Sequence, residues 1–247
     1  MARRSKAYVI CSDRPRAGKT LFARVLVEFL KRFDEMPGVF DTNVPAGDLI
    51  TLFPKDTTLL SFERIRGQMA LLDAIIATPG RDYVIDLSDR ITRLFFQTLD
   101  HVGFIEEAKT HGLDVVVFFI LDGSPASAEL AEHLVGTVPK APIVLIENRV
   151  RSETDKRTGV HHTHPGLQGL LRMDIPDLDP IFINAINRPG FTFQDFFPAG
   201  ALPLAPEGPA IPASMTHEIR RWLEGVTCQI NQIHMELRLE DLMTDRS

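Results

Sequence analysis

The chain has 247 residues, 44% hydrophobic and 24% charged, which is material for one large core or at most two modest ones, and we read it as a single domain over 1–247. A formal net charge of -6 argues against a globally basic nucleic-acid binder, although a local basic patch can still hold a phosphate backbone. No stretch reaches the ~18 uninterrupted apolar residues of a membrane span. The basic start MARRSKAYVI lacks a long apolar leader, and two cysteines, Cys11 and Cys228, are too few for a disulfide framework or a cysteine metal site. These features together predict a soluble, cytoplasmic protein without a transmembrane segment.

In chain order, short apolar runs alternate with segments of helical period. AYVIC (7–11), GVFDT (38–42), DYVIDL (82–87), DVVVFFIL (114–121) and PIVLIE (142–147) are apolar on both faces, as parallel strands buried under helices must be. Segments 20–33, 62–77, 92–111 and 126–135 between them predict helices. The alternation predicts a three-layer α/β/α fold around a mainly parallel, doubly wound sheet.

Beyond Leu145 the pattern loosens. Segment 151–169 is polar, carries three histidines and reads as a surface loop, whereas LRMDIPDLDPIFINAINRPG reads as a short strand, a proline break and a helix from about Asp179. Five prolines between 198 and 212 suggest an extended segment wrapping the body. A last helix is predicted over about 213–242. Its apolar positions Ile219, Trp222, Leu223, Val226, Ile230, Ile233 and Leu237 keep to one face, for core packing or for a partner.

The stretch YVICSDRPRAGKTLFARVLVEFL concentrates the chemistry. A strand, a loop closing on Gly18-Lys19-Thr20 and an apolar helix form the context of a phosphate-binding loop. In such a loop backbone N–H groups and the helix N-terminus face the phosphates, the lysine reaches their outer oxygens and the threonine hydroxyl ligates Mg²⁺. Asp41 and Asp86 end the second and third strand candidates, so a parallel sheet brings both carboxylates to the edge where α/β proteins bind ligands. A carboxylate there, near Thr20, suits a hydrated Mg²⁺.

With these residues in place, the sequence resembles the ParA/MinD group of deviant Walker-type P-loop ATPases. The resemblance runs through ICSDRPRAGKT, GVFDTNVPAGDLITLF, RDYVIDLS, VVVFFILDGSPASAEL, PIVLIENRV and MDIPDLDPIFINAINRPG, and spans roughly residues 5–197. It implies an ATP- and Mg²⁺-binding protein that dimerises on ATP and hydrolyses it slowly to partition or position a DNA or protein cargo. It assigns nucleotide contacts to Arg14, Arg16, Ala17, Gly18, Lys19, Thr20, Leu21, Asn148 and Arg149, with Asn148 at the base-contacting position. It assigns Mg²⁺ to Thr20, Asp41 and Asp86, and catalysis to Arg14, Lys19, Asp41 and Asn43. Arg14 stands where the group has a signature lysine, and Asn43 where it commonly has a second aspartate that positions the attacking water.

Asn43 can orient water but cannot take its proton as a carboxylate does, which predicts slow turnover. Pro15 offers no N–H and Arg16 is bulky where such loops carry glycine, so the loop departs from the usual phosphate cradle. Two other functions fit the sequence: a dethiobiotin synthetase-like enzyme using ATP on a small molecule, and a non-hydrolysing scaffold. His161, His162 and His164 have a spacing that suits a transition metal or a merely solvated loop. The neighbouring Arg149, Arg151, Lys156 and Arg157 are able to touch DNA phosphates. No nucleophile-elbow pattern supports Ser/His/Asp catalysis.

Overall fold

The computed structural model describes residues 4–33, 36–78, 80–148, 164–188, 190–197 and 212–244. Seven strands form one sheet in the order β3-β2-β4-β1-β5-β6-β7. They are β1 (Ser5–Cys11), β2 (Gly38–Asp41), β3 (Thr57–Leu59), β4 (Tyr83–Asp86), β5 (Leu113–Leu121), β6 (Ile143–Asn148) and β7 (Leu171–Ile175), and every neighbouring pair is parallel. β1 lies between β4 and β5, so the chain winds from the centre to one side and then crosses to the other, opening a crevice at the carboxyl ends of the central strands.

Alternation within each strand supplies two separate cores. Tyr8 and Ile10 of β1 face α1 (Lys19–Lys31) and α8 (Ala213–Thr244), in a cluster with Phe22, Leu26, Phe29, Trp222 and Ile230. Ala7, Val9 and Cys11 face the opposite layer, built from α3 (Ile65–Ala77), α4 (Thr92–His101), α5 (Phe104–Thr110) and α6 (Pro125–Thr137). The three-layer expectation holds. The apolar stripe of α8 is core: all seven of its named positions are buried, and the Trp222 indole donates to the Pro176 carbonyl at 2.9 Å.

The structure differs from the sequence-based expectation in local detail. Segment 92–111 is two helices, because Gly103 takes φ 64°, a left-handed conformation that ends α4 and starts α5. Two short elements, α2 (Asp48–Leu52) and the edge strand β3, lie between the strand at 38–42 and the helix at 62–77, where the sequence reading places none. The helix expected from Asp179 is α7 (Pro180–Ile186), with the Asp179 carboxylate capping Ile181 N at 2.8 Å. The proline-rich segment 198–211 and residues 149–163, including Arg149, Arg151, Lys156, Arg157, His161 and His162, lie outside the described residues. Among the described residues no helix is long and apolar enough to cross a membrane.

Candidate functional site

β1 stops at Cys11, and the chain turns through Ser12–Gly18 into α1, so the first N–H groups of α1 open onto the crevice. Gly18 enters the helix at φ 103°, where an L side chain is strained, and a Cβ there would lie 2.2 Å from Asn148 Nδ2. Arg16 has φ 59°, so it holds the left-handed backbone that glycine usually supplies in such a loop.

Lys19 is buried, and its ammonium donates to the Arg14 carbonyl at 2.8 Å and to Ser12 Oγ at 3.1 Å. Its Nζ lies 3.9 Å from Asp89 Oδ1. Burial pushes the Lys19 pKa down, while Asp89 and Asp86 pull it back up. The lysine is thus held over the loop by two neutral acceptors, a carbonyl and a hydroxyl.

The neighbouring strand ends bring the acidic groups together. β2 and β4 pair with Asp41 opposite Asp86, and both residues are fully buried. Thr20 Oγ1 donates to Asp86 Oδ2 at 2.7 Å, and Asn43 Nδ2 approaches the same oxygen at 3.3 Å. Asp86 Oδ1 is buried with no hydrogen-bond partner. Desolvation raises the Asp86 pKa to about 7, against the Thr20 hydrogen bond, which lowers it. An orphaned carboxylate oxygen beside a threonine hydroxyl is a donor set that fits a hard divalent cation.

Asp41 is differently engaged. Its Oδ1 accepts from Asn43 N at 3.0 Å and from Asn43 Nδ2 at 2.9 Å, and its Oδ2 accepts from Leu49 N at 3.0 Å. Gly47 passes so close that a Cβ there would meet the Asp41 carboxylate at 2.2 Å. Asp41 therefore folds the 43–49 loop across the crevice.

The remaining assigned residues surround this centre. Arg14 is largely exposed and its Nε lies 2.7 Å from Asp122 Oδ2 in the loop after β5. Asn148 Nδ2 donates to the Ala17 carbonyl at 2.7 Å, bracing the loop from β6. A cleft of about 600 Å³ is lined by Pro15, Arg16, Gly18, Lys19, Thr20 and Leu21 on one side, and by Asn43, Asp48, Asp89, Asn148, Asn187 and Arg188 around it. The structure thus gathers Lys19, Thr20, Asn43, Asp86 and Asn148 in one place, sets Asp41 behind them and ties Arg14 to the rim.

Sequence reasoning missed Ser12, Asp89, Asn187 and Arg188. Asp89 had a legible signal, since it leaves the sheet three residues after Asp86 in the same strand-exit loop; Asn187 and Arg188 follow α7 and meet the cleft only through tertiary packing. Among the described residues no group of three or more His, Cys, Asp and Glu side chains is gathered to hold a metal. His164, the described member of the histidine loop, has Nδ1 3.1 Å from Glu132 Oε2.

No protein-family model and no curated protein matches the chain. Solved structures do. The MinD cell division protein of Aquifex aeolicus superposes with a TM-score of 0.50 at 16% identity, over 90% of this chain and 97% of that one. FlhF complexed with GMPPNP and Mg²⁺ aligns with a TM-score of 0.39 at 12% identity, over 69% of this chain and 64% of its own. FlhF complexed with GTP and Mg²⁺ aligns with a TM-score of 0.38 at 12% identity, over 68% and 63%. Identity this low speaks for architecture alone. The parallel sheet, the loop closing on Gly18-Lys19-Thr20 and the superposition on MinD together give this chain a ParA/MinD-like P-loop NTPase fold.

Proposed function

We propose that this chain is a nucleotide-dependent dimerisation switch that binds Mg²⁺-ATP in the cleft and hydrolyses it slowly. The observation that carries the reading is the Asp86 carboxylate oxygen left buried without a partner beside the Thr20 hydroxyl, at the foot of a lysine-bearing loop. Phosphate oxygens would meet Lys19 Nζ and the first N–H groups of α1. Thr20 and Asp86 would hold Mg²⁺, which supplies charge neutralisation on the phosphates, and Asp41 keeps Asn43 in place behind them.

Slow turnover follows from Asn43. Its amide is engaged by Asp41 and approaches Asp86, so it can steer a water but cannot accept a proton. Arg14 must leave Asp122 to reach across to a second subunit, so closure of a homodimer exchanges one charge pair for another. We read the chain as one nucleotide-binding unit acting in the cytoplasm, with positioning or partition of a protein or DNA cargo as its output.

Light scattering without nucleotide, with Mg²⁺-ADP and with Mg²⁺-ATP tests this reading. ATP alone is expected to double the molar mass, and Lys19→Ala is expected to stay monomeric. If ATP affinity is the same in Lys19→Ala, the site is not a phosphate site. A second reading, the non-hydrolysing scaffold, is favoured by Arg16 in a glycine conformation and by a lysine already bonded to its own loop. Absence of any nucleotide binding selects it.

A further inference from the structure

The helix that begins with Lys19 carries a charged pair that the site just described does not use. Arg24 and Glu28 sit one turn apart on α1 and are 3% and 2% exposed. Arg24 Nε donates to Glu28 Oε1 at 3.2 Å, Nη1 donates to the Ile186 carbonyl at 2.6 Å, and Nη2 donates to the Phe191 carbonyl. Its guanidinium lies 5.1 Å from the Phe191 ring centroid and 5.0 Å from that of Phe193.

Glu28 Oε2 accepts from Thr192 Oγ1 at 2.6 Å, from Phe193 N at 2.6 Å and from Gln194 N at 3.1 Å. The Glu28 carbonyl accepts from Gln194 Nε2 at 2.9 Å. Burial pushes the Glu28 carboxyl up, and Arg24, Thr192 and Phe193 pull it down. The two side chains therefore grip both ends of one stretch, Ile186 at its start and Phe191 to Gln194 at its end.

The gripped stretch contains Asn187 and Arg188, which line the same cleft as Lys19 and Thr20 of the loop. A buried ion pair is weak evidence for stability, since well-packed apolar side chains serve a core at least as well. What it adds here is geometry, because Arg24 donates to two chosen carbonyls and Glu28 accepts from two chosen N–H groups.

We propose that Arg24 and Glu28 are positioning residues that hold Asn187 and Arg188 in the lining of the cleft, and that these two side chains meet the nucleoside part of the nucleotide. The inference rests on the nucleotide reading of the cleft and goes beyond it. Phosphate contacts come from the loop and the start of α1, and nucleoside contacts come from a stretch that the same helix clamps one and two turns later. The pair thereby splits binding into two separable parts.

Calorimetry with Mg²⁺-ATP and with Mg²⁺-tripolyphosphate tests the split, on the wild-type chain and on Glu28→Gln, Arg24→Lys and Thr192→Val. Glu28→Gln is expected to weaken ATP about tenfold or more and tripolyphosphate less than about twofold. Thr192→Val removes one donor to Glu28 and one acceptor of Gln194 N, which keeps its bond to Glu28 Oε2, and leaves no buried charge unpaired; it is expected to keep the fold and to weaken ATP about threefold with tripolyphosphate unchanged. Equal losses for both ligands, or no loss of ATP affinity, overturn the positioning role while leaving the nucleotide site standing. A wild-type chain that binds neither ligand overturns both.

Discussion

Asp41 and Asp86 face each other in register on adjacent parallel strands, both fully buried, yet the fold treats them in opposite ways. Both Asp41 oxygens accept from protein N–H groups, and the residue anchors the loop between β2 and α2. Asp86 has one oxygen bonded to Thr20 and the other with no partner. The same residue type at the same sheet edge is thus a loop anchor in one strand and an open acceptor in the next. What differs is whether the following segment turns its N–H groups back onto the carboxylate. The 43–49 segment does so, whereas Leu87 and Ser88 donate to Ile10 and Thr42 instead.

The contrast is breakable. The largest effect is expected from Asp41→Ala, which strands the buried N–H of Leu49 and both the backbone N–H and the side-chain amide of Asn43; at roughly 1.5 kcal/mol for each of these bonds to a charged group, the loss is about 4–5 kcal/mol. Urea denaturation measures it, and an unchanged midpoint would mean that Asp41 anchors nothing.

Asp86→Asn should act in the opposite direction in the metal-free protein. The carboxyl has its pKa raised from 3.8 to about 7, so the native state keeps a proton that the unfolded chain releases. The stabilisation from that proton is full below 3.8 and is lost as pH rises to about 7, after which stability is level. Asparagine removes the slope, with an expected gain of roughly 2–4 kcal/mol at high pH and little at low pH. Thermal melts across pH 4–8 check the sign, and the variant should also lose any stabilisation by Mg²⁺.

Asn43→Asp sharpens the comparison further by placing a third carboxylate against the other two. Without metal it is expected to cost about 1–2 kcal/mol at high pH through like-charge repulsion, and Mg²⁺ should restore most of it. Differential scanning fluorimetry with and without Mg²⁺ reads both halves. The smallest effect is expected from Arg16→Gly. Relief of a left-handed arginine, roughly 1–2 kcal/mol, is offset by about 0.5–1 kcal/mol of added chain entropy, leaving a net gain of about 0–1.5 kcal/mol. A loss of stability would show that the Arg16 side chain holds the loop in some other way.

Much of the fold was legible because its signals are local. The apolar runs of β1, β2, β4, β5 and β6 and the helical period of α1, α3 and α6 each lie within one stretch of chain. The break at Gly103 was missed because the apolar period continues across it through Phe104 and Ile105, and only the backbone turn separates α4 from α5. α2 and β3 were missed because they are short and owe their form to neighbours: Leu49 N is held by Asp41, and β3 exists as the edge partner of β2.

The sequence by itself determined the parallel α/β architecture, the loop at Gly18-Lys19-Thr20 and the arrival of Asp41 and Asp86 at one edge, because strand period and strand ends are written in contiguous residues. Only the tertiary structure decided that Asp86 keeps an open oxygen, that Arg14 pairs with Asp122, and that Arg24 and Glu28 clamp the stretch carrying Asn187 and Arg188. Those facts depend on which donors from distant segments reach a buried charge. That choice is made when the layers pack, and no local pattern in the chain records it.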